Sequence, residues 1–248
     1  LLNPGDVLVF NDTKVIPAQL EGKRGEASIG ATLHKRIDLR RWQAFIRNAK
    51  RLRVGETVDF GEDVFAVAED KLPDGSFILN FQGEEPVEVL LNRAGTMPLP
   101  PYIARKRDID ARDAEDYQTM FAREDGAVAA PTAALHFTPE LIARLKAAGI
   151  ATETVTLHVG AGTFLPVKVD DIKDHKMHSE WGQVTPKAAA EINATKAAGG
   201  RVIPVGTTAL RLIESAARSG QIAPWQGETD IFIYPGFRFQ MANALMTN

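Results

Sequence analysis

Apolar segments separated by polar turn residues run along the whole chain, and the first segment ends at a polar cluster. DVLVF (residues 6–10) is a compact apolar run, and NDTK (residues 11–14) follows it directly. A short apolar run bounded by Asn and Asp is typical of a buried strand that ends in a turn. The pattern predicts a strand over residues 6–10 with the four NDTK side chains at its carboxyl end.

Between about residues 18 and 95, apolar and polar residues alternate in short segments, as they do in short β-strands. Segments such as WQAFIR, ETVDF, VFAVAE and SFILNF are separated by glycines and by the PDG turn at residues 73–75. Several short strands at this spacing indicate an antiparallel β-domain. We predict a small all-β, barrel-like domain over residues 18–95, inserted into an α/β chain.

A strand–helix–strand pattern with two histidines follows at residues 126–159. The apolar run GAVAAPTAALHFT (126–138) delivers His136 and is followed by a helix whose N-cap is Thr138, with Pro139 at its first position. The next run, ATETVTLHV (151–159), alternates as a strand and ends at His158. We therefore expect a histidine at the end of each strand. Ligands of α/β folds bind at the carboxyl ends of strands, so chemistry is expected there.

The remaining segments continue the alternation. They predict a loop that carries DHKMHSEWG (174–182), a helix capped by Thr185, a strand over residues 201–205, a helix opened by GTTALR (206–211) and a last strand DIFIY (230–234). Alternation of this kind indicates a mixed or parallel sheet. The predicted fold class is α/β, with a barrel-like mixed α/β main domain formed by residues 1–17 and 96–248.

Composition narrows the classes of function. The chain has no cysteine, which excludes disulfides, thiolate metal sites and cysteine nucleophiles. No apolar run approaches the roughly 20 residues of a membrane span, and no signal-peptide pattern opens the chain, so a cytoplasmic protein is expected. The formal net charge is −3, so any contact with nucleic acid must come from local basic patches.

One such patch lies at residues 35–53. It contains eight Lys and Arg residues against the single acid Asp38, with Trp42 and Phe45 interleaved. Charge runs usually form a solvated face, and the aromatic residues fit a core, but the imbalance favours contact with an RNA backbone. Together with a second basic group after PLPPYI, the RNA-binding candidates are Arg40, Arg41, Lys50, Arg51, Arg105 and Lys106.

Three further motifs have competing interpretations. GAGTF (160–164) is not a dinucleotide-binding loop, because Pro166 prevents the helix that such a loop needs, although two glycines suit close approach of backbone to a ligand. The start of GTTALR fits an anion site and fits ordinary capping equally well. His178 and Glu180 lie near His175 at a spacing that can hold a metal, but solvated histidines are commoner, and we expect no metal.

These segments, taken with several others, resemble the S-adenosylmethionine:tRNA ribosyltransferase-isomerases of queuosine biosynthesis. The resemblance is carried, in the family's order, by LLNPGDVLVFNDTKVIPAQL (1–20), MPLPPYIAR (97–105), YQTMFA (117–122), GAVAAPTAALHFT, LHVGAGTF (157–164), MHSEWG (177–182), GGRVIPVGTTALR (199–211), IFIYPGFRF (231–239) and ALMTN (244–248). Ala134 replaces a usual glycine and Ala209 a frequent serine, and neither change removes a titratable group. The family's terminal motif continues beyond Asn248, so further residues are expected there.

The resemblance implies an α/β barrel with a small all-β insert, and an unusual reaction. The ribosyl part of S-adenosylmethionine, the cosubstrate, is transferred to 7-aminomethyl-7-deazaguanine at the tRNA wobble position. It rearranges to an epoxycyclopentane, and adenine and methionine leave. This chemistry requires a base beside the sulfonium, an acid for adenine departure and a pocket that excludes water.

The resemblance also gives candidate roles, with His158 as the first choice for the base. The catalytic candidates are His158, His136, His178, Glu180 and Asp12. The substrate-binding candidates are Asn11, Thr13, Lys14, Tyr117, Gln118, Thr138, Gly160, Gly162, Thr163, Gly206, Thr207, Thr208 and Arg211. The expected partner is tRNA bearing the aminomethyl base, with no membrane and no second copy of the chain. The alternative function is a noncatalytic RNA-binding protein on the same scaffold.

Overall fold

A computed structural model describes residues 1–100, 103, 110, 112–164, 177–218 and 220–248. The chain forms two compact units. The first, here called the sheet unit, comprises residues 1–14 and 118–159 and the described part of residues 166–248. The second, here called the barrel unit, comprises the described residues of 15–117 and of 160–165.

The regular elements are labelled in chain order. The strands are β1 (Val7–Asn11), β2 (Thr13–Val15), β3 (Gln19–Arg24), β4 (Ala27–Arg36), β5 (Arg41–Arg47), β6 (Thr57–Asp59), β7 (Phe65–Lys71), β8 (Phe77–Phe81), β9 (Gly95–Thr96), β10 (Glu124–Ala127), β11 (Ala151–Leu157), β12 (Glu180–Val184), β13 (Val202–Pro204), β14 (Ala217–Arg218), β15 (Gln221–Ile222) and β16 (Trp225–Thr229). The helices are α1 (Val87–Ala94), α2 (Asp113–Asp116), α3 (Pro139–Ala147), α4 (Pro186–Ala197) and α5 (Thr207–Ala216). Short 3-10 turns occupy Ala49–Arg51, Thr132–His136 and Ala161–Phe164.

The barrel unit is a closed antiparallel barrel of six strands. The order is β4-β5-β8-β7-β6-β3, and β3 pairs back onto β4 to close the ring. Alternate side chains fill the interior, among them Leu20, Leu33 and Leu79, because successive residues of a strand point to opposite faces. Trp42 is one of these core residues, in line with the core interpretation of the aromatic residues in the basic patch.

The sheet unit is built on a five-stranded mixed sheet with the order β13-β1-β11-β12-β16. Strand β1 lies between two parallel neighbours, while β12 runs antiparallel to β11 and β16. Apolar clusters cover both faces of β1, which explains its unbroken apolar sequence. In the register of β1 and β11, Asn11 lies opposite Val155, so the two strands end close together.

The predicted helix starts of the sheet unit are confirmed. Thr138 Oγ1 accepts the N–H of Leu141 at 3.2 Å, and Thr185 Oγ1 accepts the N–H of Ala188 at 3.1 Å. Each threonine precedes a proline at the start of its helix. The α/β class and the small antiparallel barrel are likewise confirmed. None of the described helices is long and apolar enough to cross a membrane.

Two of the predicted strands are wrong. His136 lies in a 3-10 turn and does not end a strand, because Pro131 has no N–H to give to a ladder and its carbonyl accepts the N–H of Ala134. The last strand is not DIFIY but β16, which precedes it. There the hydroxyl of Thr229 accepts the N–H of Ile231 at 3.2 Å, a local bond that competes with strand pairing.

The predicted loop at residues 174–182 is also wrong at its end. Strand β12 begins at Glu180 and pairs with β11 on one side and β16 on the other. Its sequence EWGQV is short and partly polar, so it carries a weak strand signal. Both neighbours come from distant parts of the chain, and their pairing overrides local propensity.

Candidate active site

Asn11 fastens the carboxyl end of β1 to β11 and to α5. Its Oδ1 accepts the N–H of Leu157 at 2.9 Å and that of Thr13 at 3.2 Å. Its Nδ2 donates to the carbonyl of Leu157 at 2.9 Å and to Thr208 Oγ1 at 3.3 Å. A fully buried amide with partners on both sides is held in one orientation. The hydrogen bonds of Asn11 therefore hold the end of β1 against β11 and α5.

Asp12 is a buried carboxylate next to Asn11. Its Oδ1 accepts the hydroxyl of Thr156 at 2.7 Å, and its Oδ2 accepts Nη2 of Arg123 at 2.7 Å. The same Nη2 donates to Thr154 Oγ1 at 2.7 Å. Thr154 and Thr156 alternate along β11 and so point to the same face, which is the face that meets Asp12.

His158 extends the same row of side chains. Its Nδ1 lies 2.8 Å from Thr13 Oγ1, which in turn lies 3.5 Å from the carbonyl oxygen of Glu124. If the threonine hydroxyl donates to that carbonyl, Nδ1 carries the ring proton and donates to the hydroxyl. The lone pair of Nε2 is then available to accept a proton. The ring also stacks on Trp181, with centroids 5.0 Å apart and planes at 19°.

A glycine lets the backbone pack closely against the face of the His158 ring. A Cβ at Gly126 would lie 2.8 Å from His158 Nε2, which is closer than real Cβ atoms approach. Gly126 also has φ +148°, a value that other residues rarely adopt. No hydrogen bond reaches Nε2 from any residue that the structure describes. The arrangement leaves one ring nitrogen uncommitted.

Burial lowers the pKa of His158 below its ordinary value. The negative charges of Asp12 and Asp125 act in the opposite direction and offset part of that effect. Asp125 is itself paired with Lys14, whose Nζ lies 3.2 Å from its Oδ1. A neutral imidazole at pH 7 follows, which is the form that accepts protons.

Glu180 and Arg211 form a second buried pair in the sheet unit. Glu180 Oε2 accepts Nη1 of Arg211, and Arg211 Nε donates to the carbonyl of Ile231 at 3.1 Å. The remaining nitrogen, Nη2, is buried and has no hydrogen-bond partner among the described residues. A buried donor without a partner is costly and suits an incoming anionic oxygen.

The first turn of α5 carries the GTT motif. The helix begins after Gly206, which has φ +89° and no side-chain cap. The hydroxyl oxygen of Thr208 accepts a hydrogen bond from Asn11 Nδ2, and Thr207 is exposed. Neither hydroxyl caps the helix, so ordinary capping does not account for this motif.

The other sequence candidates of the sheet unit have contacts of their own. Thr138 caps α3, His136 is exposed on its 3-10 turn, and Lys14 pairs with Asp125. His178 and Gln118 are half-buried, and His178 lies two residues before β12. These residues are not joined to His158 by any hydrogen bond that the structure describes.

The glycines of GAGTF have a partner that sequence reasoning missed. Gly162 donates its N–H to Nδ1 of His34 at 3.3 Å, within the barrel unit. A Cβ at Gly160 would lie 2.6 Å from the same Nδ1. These glycines therefore allow close approach to a buried histidine of β4. Thr163 belongs to the same 3-10 turn, and Tyr117 is buried in the barrel unit.

The basic patch divides into paired and unpaired cations. Arg41 is paired: its Nε lies 2.6 Å from Asp38 Oδ2, and its Nη1 lies 3.9 Å from Glu69 Oε2. Arg40 Nη1 donates to the carbonyl of Phe81 at 3.2 Å. Lys50 and Arg51 form the exposed end of a 3-10 turn and make no ion pair among the described residues. Arg105 and Lys106 lie outside the described residues.

No group of three or more His, Asp or Glu side chains in the described ranges is placed to hold a metal ion. Sequence reasoning missed Arg123, Asp125 and Trp181, which come from β12 and the region of β10. The signal that pointed to this place was the pair of polar strand ends, NDTK and His158. That signal indicated where the candidate site lies, but it did not indicate the charged residues Arg123 and Asp125 beside it.

Comparison with known proteins gives one consistent result. The family model described as "Queuosine biosynthesis protein" matches residues 1–248. The S-adenosylmethionine:tRNA ribosyltransferase-isomerase of Sphingopyxis alaskensis is 74% identical over 248 residues, which are 100% of this chain and 71% of that protein. The protein of the same name from Erythrobacter litoralis is 70% identical over 249 residues, with 100% and 72% covered.

A solved structure is similar as well. It is a crystal structure of an S-adenosylmethionine tRNA ribosyltransferase from Thermotoga maritima, 32% identical, with a TM-score of 0.43, 100% of this chain and 68% of that chain covered. The family assignment rests on the full-length sequence matches. The resemblance seen in the sequence motifs is confirmed, and the chain belongs to the queuosine biosynthesis protein family.

Proposed function

We propose that this chain is an S-adenosylmethionine:tRNA ribosyltransferase-isomerase and that its base is His158. The 74% identity to a relative of that name, over the whole of this chain and 71% of the relative, supports the enzyme and does not support the noncatalytic alternative. The observation that supports His158 as the base is its ring, which is held at Nδ1 by Thr13 and receives no hydrogen bond at Nε2 from any described residue. A protein that only binds RNA has no need of such a group.

The reaction transfers the ribosyl part of S-adenosylmethionine to the aminomethyl group of 7-aminomethyl-7-deazaguanine at the tRNA wobble position. The product is epoxyqueuosine-tRNA, and adenine and methionine are released. The positive sulfur acidifies the protons on the ribosyl carbon attached to it. A neutral base in a buried site is suited to remove one of them.

His158 accepts this proton at Nε2, and Thr13 keeps the ring in the required tautomer. In this tautomer Nδ1–H of His158 donates to the hydroxyl of Thr13, and that hydroxyl donates to the carbonyl of Glu124. Asp12 lies on the same face and stabilises the imidazolium that forms when the proton is taken. The stacked indole of Trp181 excludes water from one face of the ring.

Arg211 and the start of α5 bind the methionine carboxylate of the cosubstrate. The partnerless Nη2 of Arg211 supplies a donor, and Glu180 holds the guanidinium in place. The free N–H groups at the start of α5 and its positive dipole end favour a carboxylate in the same way. His136, and His178 with Glu180, stay the alternative candidates for the base.

The tRNA backbone binds the unpaired cations of the barrel unit, of which Lys50 and Arg51 are the exposed examples. Cations already engaged by carboxylates, such as Arg41, contribute less, because they release fewer counterions on meeting phosphates.

Incubation of the chain with S-adenosylmethionine and tRNA tests the proposal. Adenine should be released only when the tRNA carries the aminomethyl-deazaguanine, and tRNA that lacks it serves as the control. Release of S-adenosylhomocysteine in place of adenine would show a methyltransferase and would contradict the proposed function.

A further inference from the structure

Two carboxylates flank His158, and each is paired with a cation. Asp12 accepts Arg123 Nη2 at 2.7 Å, and Asp125 lies 3.2 Å from Lys14. The two ion pairs join the same two segments of the chain. Asp12 follows β1 and Lys14 lies in β2, while Arg123 precedes β10 and Asp125 lies in it. Both carboxylates act electrostatically on the imidazole. The cations that pair with them have no contact with the ring among the described residues.

The pair at Asp12 is the more tightly built. The Asp12 side chain is 5% exposed, so water screens its charge weakly, and Arg123 is its one cationic partner among the described residues. The backbone N–H of Arg123 donates to the carbonyl of Asp12 at 2.8 Å, which fixes the arginine beside its partner. The Lys14–Asp125 pair is half-exposed on both sides. Exposed pairs interact weakly, so Lys14 has the smaller influence.

Other described charges near the ring are accounted for. Glu124 contributes its backbone carbonyl to the chain of bonds through Thr13. On β12, the strand that supplies the stacked tryptophan, Glu180 is neutralised by Arg211. Asp12 and Asp125 are the described carboxylates that act electrostatically on His158, so Arg123 and Lys14 are the cations whose removal would expose such a charge to the ring.

We infer that Arg123, with Lys14 in a lesser part, is a positioning residue for the reaction. It offsets part of the negative charge of Asp12, so that the ring stays an uncharged base while Asp12 still favours the positive charge formed later. The inference rests on the proposed function of His158 as base. Without the guanidinium, the anionic Asp12 would favour the imidazolium and the pKa of His158 would rise.

Titration of His158 by nuclear magnetic resonance tests the inference on the folded chain without any substrate. The ring signals are assigned by their loss in His158→Gln. In Arg123→Gln the titration midpoint should move up by about 0.5–1 pH unit, and in Lys14→Gln by less. Arg123→Lys, which keeps the charge, should restore most of the wild-type midpoint. Arg144→Gln removes one exposed cation from α3 and is the matched control, with no expected shift.

The rate of adenine release should follow the titration. The acidic limb of kcat/KM should move to higher pH in Arg123→Gln by the same amount, while the rate on the high-pH plateau stays near wild type. An unmoved midpoint in Arg123→Gln, or an equal shift in Arg123→Lys, would overturn the inference. A shifted midpoint in a chain that releases no adenine would leave the electrostatic role standing and would instead refute the proposed function.

Discussion

Each end of β1 has a buried aspartate paired with an arginine, but the two ends differ in what surrounds the pair. At the amino end, Asp6 is buried and accepts Arg201 Nη2 at 2.6 Å, and at the carboxyl end Asp12 is buried and accepts Arg123 Nη2 at 2.7 Å. Asp6 also accepts the backbone N–H groups of Asn3 at 2.8 Å and Arg201 at 3.1 Å. Its acceptor sites therefore tie down the backbone around the start of the strand.

The carboxyl end differs by having a histidine with one free nitrogen. Hydrogen bonds from Arg201 lower the pKa of Asp6 to about 2, so the charged form of Asp6 is stabilised by its contacts. Burial lowers the pKa of His158, so the neutral form of His158 is favoured. A buried ion pair alone indicates little about function. An uncommitted titratable group beside it distinguishes a reactive site from a structural one.

Replacement of His158 should give the largest effect. A positioned base contributes roughly 10²–10⁴-fold, so His158→Gln should lower the single-turnover rate of adenine release by about that factor. Folding and tRNA affinity should change little, because glutamine keeps a polar side chain near Thr13. A denaturant melt on the same preparation provides the control. If His158→Gln lost stability but kept full activity per folded molecule, His158 would be a structural residue, like Asp6 at the other end of β1.

Gly126→Ala should give the next largest effect, through displacement of the His158 ring. The added methyl would lie 2.8 Å from His158 Nε2, and displacement of a reacting group by about 1 Å costs roughly 10²-fold in rate. Gly199→Ala is the matched control, since Gly199 has φ +83° and nothing within 4 Å of an added Cβ. It should show the backbone strain without the loss of activity. Equal losses in both variants would show that backbone strain, not displacement of the His158 ring, lowers the rate.

Asp6→Asn should affect stability and leave the chemistry intact. The pKa of Asp6 falls from 3.8 to about 2 on folding, which corresponds to about 2 kcal/mol of stability at neutral pH. A lowered carboxyl pKa stabilises the fold above the unfolded value and loses that contribution as pH falls through the folded value. The difference in unfolding free energy between wild type and Asp6→Asn should therefore shrink between about pH 4 and pH 2. A constant difference across that range would contradict the assignment.

The smallest effect concerns the cations of the barrel unit. Replacing Lys50 and Arg51 with alanine should reduce the log–log salt slope of tRNA binding by roughly 0.7–0.9 for each phosphate that is no longer neutralised. Arg41→Ala should change the slope less, because Asp38 already engages that guanidinium. Affinity for S-adenosylmethionine alone should not change. An unaltered slope in the double variant would identify the patch as a solvated surface.

The sequence predicted the elements whose signals are local. Thr138 and Thr185 are recognisable as caps because each precedes proline at the start of an apolar helix, and the positions of NDTK and His158 follow from two strand ends. The surroundings of His158 are not predictable in this way. Trp181 comes from β12, whose sequence resembles a loop until β11 and β16 pair with it. Arg123 meets Asp12 from 111 positions away, and no local pattern encodes that contact.

The glycines of GAGTF show the same limit. Their spacing predicts a close approach, but spacing does not identify what approaches. In the structure it is the ring of His34, a residue of the inserted barrel.

The central claim is that His158 removes the proton from the ribosyl carbon attached to sulfur. Its most direct test is single-turnover adenine release with S-adenosylmethionine carrying deuterium at that carbon, compared between wild type and His158→Gln. With proton removal limiting the rate, deuterium should slow the wild-type reaction, and His158→Gln should slow it by roughly 10²–10⁴-fold with its fold intact. Wild-type rates in a correctly folded His158→Gln protein would contradict the claim.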